Sequence, residues 1–280
     1  MVIFSSLCLA GEAFSRYYYF VDIPADTHTD SSCLPVFLSG GEEAVLLIHG
    51  YTDATDQLRY IAERLWERGY TVSVPRLPGH GTCGADFLRT SWKDWLRRVC
   101  DDFFDLRCRY ETVHILGVSL GGLLALILAG RFQTKASGFR PAKLILAAPA
   151  ILTKSRSLKF VRLLRFFITK RLRKNFSFSG PAAYSYIARE YWRWNWPGPA
   201  VSILRLVSMA RKILPEIQTP VLVIVSEKDG TVPVEAADFL ERKMTSARVS
   251  RFVLKESNHI VLDGCEREKA AGEIIRWLRE

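Results

Sequence analysis

Leu116-Gly117-Val118-Ser119-Leu120-Gly121-Gly122 is the stretch on which the reading of this chain turns. Residues 113–118, ahead of the serine, form a short apolar run rich in β-branched side chains, as a buried strand requires. Residues 120–132, behind it, are mostly Leu, Ala, Ile and Gly at the length of a helix. The seven residues therefore hold Gly-x-Ser-x-Gly between a strand and a helix. A sharp turn there exposes the serine oxygen, and small residues two positions to either side let strand and helix approach closely. The plainer alternative is a serine that caps the helix between two packing glycines.

The same alternation runs outward in both directions. Apolar strand-like runs recur at 44–48, 71–74, 144–148, 221–225 and 250–254, with helical spacing at 57–68, 92–108, 235–244 and 266–279. Residues 17–21 and 35–38 are expected as antiparallel edge strands. Alternating strands and helices predict an α/β fold, a mostly parallel twisted sheet with helices on both faces, because parallel neighbours need a crossover. In such a sheet chemistry collects at the carboxyl ends of the strands. The loops after Ile48, Val74, Val118, Ala148, Val225 and Leu254 are the ones to search.

A serine nucleophile needs a base, and the base needs an orienting acid. Of the five histidines, His28 lies in a polar turn, His114 within a strand, His49 in His49-Gly50-Tyr51-Thr52 and His80 in Pro78-Gly79-His80-Gly81. Only His259 follows the last strand and precedes the last helix, so it is the expected base. The acid is expected at the end of the preceding strand, in Val225-Ser226-Glu227-Lys228-Asp229-Gly230-Thr231-Val232-Pro233, with Asp229 the choice and Glu227 its rival. Asp263 suits a cap or a supporting position. Main-chain N–H groups of Tyr51 and Leu120 are the expected pair of donors to a developing oxyanion. His49 and Gly50, with Gly117 and Gly121, read as structural support, and Thr52 and Asp53 as the cap of the helix that follows.

The 280 residues are 49% hydrophobic and 24% charged, enough for one large core and unlike a disordered, collagen-like or disulfide-stapled chain. Six cysteines without a CxxC pair or a Cys/His cluster suit free thiols and no metal site. No Lys or Arg precedes Arg16 and no apolar core with a cleavage site follows, which argues against a secretory leader. No run reaches the ~18 apolar residues of a spanning helix. A cytoplasmic protein is expected.

Together, the order Ser119, Asp229, His259, the His-Gly loop before Tyr51, the Gly-His-Gly loop at 79–81 and the Glu-Lys-Asp-x-x-Val-Pro run resemble the α/β-hydrolase family, most nearly its carboxylesterase and monoacylglycerol lipase branch. The resemblance covers residues 44–150 and 215–280. It implies an eight-stranded sheet, a Ser-His-Asp triad, no metal or cofactor, and hydrolysis of carboxylic esters. Thioesterases and aminopeptidases or amidases share this acyl-transfer chemistry.

Residues 151–214 stand apart. They carry fourteen Lys or Arg against one acid, Glu190, while the rest of the chain has 25 basic and 28 acidic residues. The net charge of +10 is thus local, and eleven of the aromatic residues share the segment. On this reading 1–150 and 215–280 form the core, and 151–214 is a basic, aromatic-rich cap inserted over the site. Residues 157–174 place Leu158, Val161, Leu164, Phe167 and Ile168 at helical spacing among cations, the pattern of an amphipathic helix for an anionic membrane surface or of a lid packed on the core. The expected partners are a small-molecule ester and, peripherally, such a membrane. Rings interleaved with cations also suit nucleic-acid bases, but an elbow with ordered base and acid serves no such purpose, and no nucleic acid is expected. A membrane-surface binding protein with a vestigial core is the reading from another class.

Overall fold

The computed structural model describes residues 23–132, 139–155, 160–174, 176–178 and 182–280. Its strands are β1 (Val36–Leu38), β2 (Glu43–Ile48), β3 (Thr71–Val74), β4 (Thr112–Val118), β5 (Leu144–Ala147), β6 (Arg171–Leu172), β7 (Trp194–Asn195), β8 (Val221–Ser226) and β9 (Val249–Leu254). Seven of them form one sheet in the order β1-β3-β2-β4-β5-β8-β9. β1 runs antiparallel to β3, and every other neighbouring pair in this sheet is parallel. The strand expected at 17–21 lies outside the described residues, so the sheet has seven described strands where the resemblance implied eight.

Alternation along β2 shows why the sheet is covered on both sides. Ala44, Leu46 and Ile48 join one core cluster, and Val45 and Leu47 join the other. All five are fully buried, as a period-two strand between two helical layers demands. The first cluster takes Trp95, Val99 and Phe103 of the Trp92–Arg107 helix with Leu240 of Glu235–Lys243. The second takes Ile61 and Leu65 of Arg59–Trp66, and Ile274 and Leu278 of Arg267–Arg279. Between the sheet and the outer helices lies Leu120–Arg131, whose residues are buried from Leu120 to Gly130. A helix apolar all round belongs inside.

The segment between β5 and β8 departs from the sequence reading. Helical spacing predicts one amphipathic helix over 157–174, with Leu158 outside the described residues; the described part holds only a short helix, Val161–Leu164, after which the chain extends into β6. Only part of the apolar side is covered: Val161 is buried, but Phe167 is 78% exposed and its neighbour Phe166 70%. Without burial, periodicity alone does not sustain a helix. β6 instead pairs antiparallel with β7, Arg171 opposite Asn195 and Leu172 opposite Trp194. The long helix of this segment is Pro197–Ile213, opened by a proline and carrying Leu206 and Ala210 into the core. No described helix is long and apolar enough to cross a membrane.

Candidate active site

β4 ends at Val118, and Ser119 takes φ +52° before the Leu120–Arg131 helix begins. For a residue with a side chain that conformation stores strain of about 1–3 kcal/mol. Its neighbours hold it there: the Ser119 N–H donates to the Ala147 carbonyl at 2.9 Å, and the Ser119 carbonyl accepts from Gly122 and Ala150 at 3.1 Å each. A Cβ on Gly117 would stand 2.3 Å from the Gly121 oxygen, and one on Gly121 would stand 2.1 Å from the Ile48 oxygen. Both glycines are required by the closeness of backbone to backbone.

His259 comes from the loop after β9 and Asp229 from the loop after β8. The Nδ1 of His259 lies 2.8 Å from Asp229 Oδ2, and its Nε2 lies 3.0 Å from Ser119 Oγ. With the proton on Nδ1 donated to the carboxylate, Nε2 is left to accept from the serine hydroxyl. Asp229 is nearly fully buried. Its other oxygen accepts from the N–H groups of Thr231 (2.7 Å) and Val232 (3.0 Å). Burial pulls the Asp229 pKa upward, but the hydrogen bond and charge of His259, with the two N–H donors, outweigh it and hold the carboxyl below its ordinary range. The rival Glu227 points elsewhere, pairing with Lys255. Asp263 bonds Arg267 at 3.0 Å and accepts from the Tyr184 hydroxyl.

The loop after β2 faces the serine across the cleft. His49 is fully buried and joins two chain segments: Nδ1 donates to the Gly50 carbonyl (3.0 Å) and Nε2 accepts from the Leu77 N–H (3.0 Å). Burial lowers its pKa to about 4, so it is neutral in this role. Tyr51 stands in the cleft wall, and Leu120 opens its helix, where an N–H has no acceptor within the helix.

Asp53 departs from the sequence reading. The turn after it is Thr55–Leu58 with Ala54 at its cap, and no side chain bonds the cap. Asp53 instead lines the cleft, and its Oδ1 accepts from Trp192 Nε1 of the inserted segment at 3.3 Å. Burial raises its pKa to about 6, partly offset by the nearby His259. An Asp two residues ahead of a helical turn reads as a cap by residue type alone, so the sequence carried no signal for this. Also unforeseen is Lys154, whose Nζ donates to the Asp229 carbonyl. Tyr51 in turn donates from its hydroxyl to the Trp196 carbonyl at 3.1 Å. The cleft encloses about 410 Å³, with Val118, Phe176, Trp192, Ile203 and Val261 among its apolar walls and Ser119 and His259 at its polar spot.

A serine on a strained strand-to-helix turn, hydrogen-bonded to a histidine that an aspartate holds, defines a class of hydrolase architecture. The chain belongs to the Alpha/beta hydrolase family, which it matches over residues 45–271. It is 28% identical over 234 residues to a thermostable monoacylglycerol lipase of Bacillus sp. (strain H-257), covering 82% of this chain and 88% of that one. It is 26% identical over 248 residues to a carboxylesterase of Bacillus subtilis (strain 168), covering 88% and 96%. Among solved structures, one from work on the metagenome-derived lipolytic enzymes LipS and LipT superposes with a TM-score of 0.77 at 21% identity, over 90% of this chain and 99% of that one.

Proposed function

We propose that the protein is a serine hydrolase cleaving carboxylic esters of apolar or lipid-like acyl groups, of the carboxylesterase or monoacylglycerol lipase type, through an acyl-enzyme. The observation that carries this reading is the unbroken chain from Asp229 through His259 to Ser119 Oγ, opening on a largely apolar cleft. The two Bacillus relatives, named as a lipase and a carboxylesterase, support the same substrate class.

In this mechanism Ser119 gives its proton to His259 Nε2 as Oγ attacks the ester carbonyl carbon. The Tyr51 and Leu120 N–H groups hold the oxyanion, where loss of one such donor costs about 3–4 kcal/mol. Asp229 stabilises the imidazolium that forms. As the tetrahedral intermediate collapses, the C–O bond to the alcohol breaks and the alcohol takes the proton from Nε2. Water then attacks the acyl-enzyme in the same way, giving its proton to His259, and the released serine recovers it. The segment 151–214 acts as a cap, with Trp192 and Phe176 forming part of the acyl site.

Fluorophosphonate labelling of the wild type and of a folded Ser119→Ala variant, followed by p-nitrophenyl esters from C2 to C16, tests this. Labelling and turnover are expected in the wild type alone; equal turnover in Ser119→Ala refutes the reading. Matched thioesters and amides on the same panel distinguish the neighbouring chemistries.

A peripheral membrane role is favoured by one further observation. Phe160, Leu163, Phe166, Phe167 and Leu172 are exposed in the most cationic part of the chain. Large apolar side chains beside Lys and Arg suit an anionic lipid surface, with each cation near the lipid worth roughly 1 kcal/mol. Co-sedimentation with phosphatidylserine vesicles at low salt is the expected result. Its absence removes the membrane role and leaves the esterase reading standing.

A further inference from the structure

A second pocket, of about 550 Å³, adjoins the cleft, and Arg173 and Phe176 stand in the walls of both. Its remaining walls include Phe178, Ser185, Arg189 and Arg193, so three arginines and two phenylalanines line it, with no carboxylate among the described residues of its walls. Just past the β6–β7 ribbon the Arg173 N–H donates to the Arg193 carbonyl at 2.9 Å, which holds the two backbones side by side although Arg193 itself has helical φ and ψ.

One of the three cations has an acid beside it. Arg189 pairs with Glu190, the one acid in residues 151–214. The Arg193 guanidinium lies 4.9 Å from the centre of the Trp194 ring, and its Nε is buried without a hydrogen-bond partner among the described residues. Lys170 approaches the same ring at 4.5 Å. A planar guanidinium fixed against an aromatic face, with donors to spare, is suited to bidentate recognition of phosphate or carboxylate.

We propose that the pocket formed by Arg173, Arg189 and Arg193 is an anion subsite that receives a phosphate or carboxylate carried by the ester substrate, so that the enzyme selects anionic acyl esters over neutral ones. The inference rests on the hydrolase reading above and narrows its substrate class. An anion held among these guanidinium groups gains charge-assisted hydrogen bonds, and the shared wall places it beside the cleft that takes the ester.

The test compares 1-octanoylglycerol 3-phosphate with 1-octanoylglycerol, both as monomers in solution, using the full chain. The wild type is expected to favour the phosphate ester at least tenfold in kcat/KM. Arg193→Gln and Arg173→Gln each reduce that ratio several-fold, chiefly through KM, while Arg205→Gln, which removes a cation of the same segment outside the pocket, leaves it unchanged. Inorganic phosphate inhibits the phosphate ester competitively in the wild type and less in Arg193→Gln. A ratio near one in the wild type overturns the proposal even if free phosphate binds, since the site would then serve a free anion. A ratio that survives both pocket variants, or that Arg205→Gln lowers equally, overturns it in favour of the general field of the segment. Turnover of both esters by Ser119→Ala refutes the hydrolase reading instead, which separates the two failures.

Discussion

Lys154 reaches from the inserted segment to the loop after β8, its Nζ donating to the main-chain oxygen of Asp229 at 2.6 Å while its own N–H donates to the Thr231 oxygen at 2.9 Å. The two bonds fasten the start of the insertion to the loop that bears the carboxylate. A hydrogen bond from a charged donor is worth about 1.5–3 kcal/mol. Lys154→Met keeps the stem and removes the donor. It is expected to lower kcat on p-nitrophenyl butyrate by roughly tenfold with KM little changed, if loop position rather than binding is what the bond secures.

Glu266 anchors the other loop. Its Oε2 accepts from the N–H groups of Lys255 (3.1 Å), Glu256 (2.8 Å) and Ser257 (3.0 Å) and from the Ser257 hydroxyl (3.1 Å), just ahead of His259. The N–H of Glu256 leads the contacts that lower its pKa to about 2. A carboxyl with a depressed folded pKa contributes stability that is full above about 4.5 and is lost as pH falls toward 2. Glu266→Ala should therefore lower Tm by several degrees at pH 7, on the order of 5 °C, and by much less at pH 2.5, read by circular dichroism.

Asp53 has the opposite sign. Its folded pKa is raised from 3.8 to about 6 by burial, and among the described residues no Lys or Arg pairs with it. Well below pH 3.8 the carboxyl is neutral in both folded and unfolded chains and has no effect; between 3.8 and about 6 it ionises in the unfolded chain first, and the cost this builds is full above about 6. Asp53→Asn removes that cost. Tm is expected to rise at pH 7.5 by the equivalent of about 1–2 kcal/mol, with the gain fading between pH 6 and 4.

Two glycines give a paired test of the packing argument. An added methyl at Gly121 meets the main-chain oxygen of Ile48 at 2.1 Å, whereas one at Gly272, inside the Arg267–Arg279 helix, meets nothing within 4 Å. Gly121→Ala should unfold the site or lower stability by about 3 kcal/mol or more, since backbone cannot yield as a side chain does. Gly272→Ala should stabilise by about 0.5–1 kcal/mol, because a helix interior favours alanine. Urea denaturation of both variants decides it.

Much of the architecture was legible because it rests on periodicities that burial enforces. β2, β4 and β8 are apolar runs between two helical layers, and the serine turn lies between a strand and a helix whose glycines have one packing solution. Asp229 and His259 were legible as the polar residues at the ends of the last two strands. Residues 157–174 misled because helical spacing promises a continuous face to bury, and of that face Val161 is buried while Phe167 stands exposed. The Pro197–Ile213 helix was not foreseen: its first turn holds Pro197, Gly198 and Pro199, residues that read as a loop. Asp53 was misread because a capping residue and one standing just outside a turn look alike until the backbone shows that Ala54 holds the cap.

The Leu120–Arg131 helix, buried on all sides from Leu120 to Gly130, has a consequence for how the molecule comes apart. Amides with no exposed face exchange with deuterated solvent only when the whole domain opens, while those of a ribbon two residues wide exchange through small local excursions. The serine is expected to root among the slowest-exchanging amides, and the part of the cleft wall next to the ribbon, Arg173, Phe176 and Trp192, among faster ones. On warming, the site should lose its enclosure well before it loses its nucleophile, so that reactivity toward a small fluorophosphonate outlasts selectivity among esters.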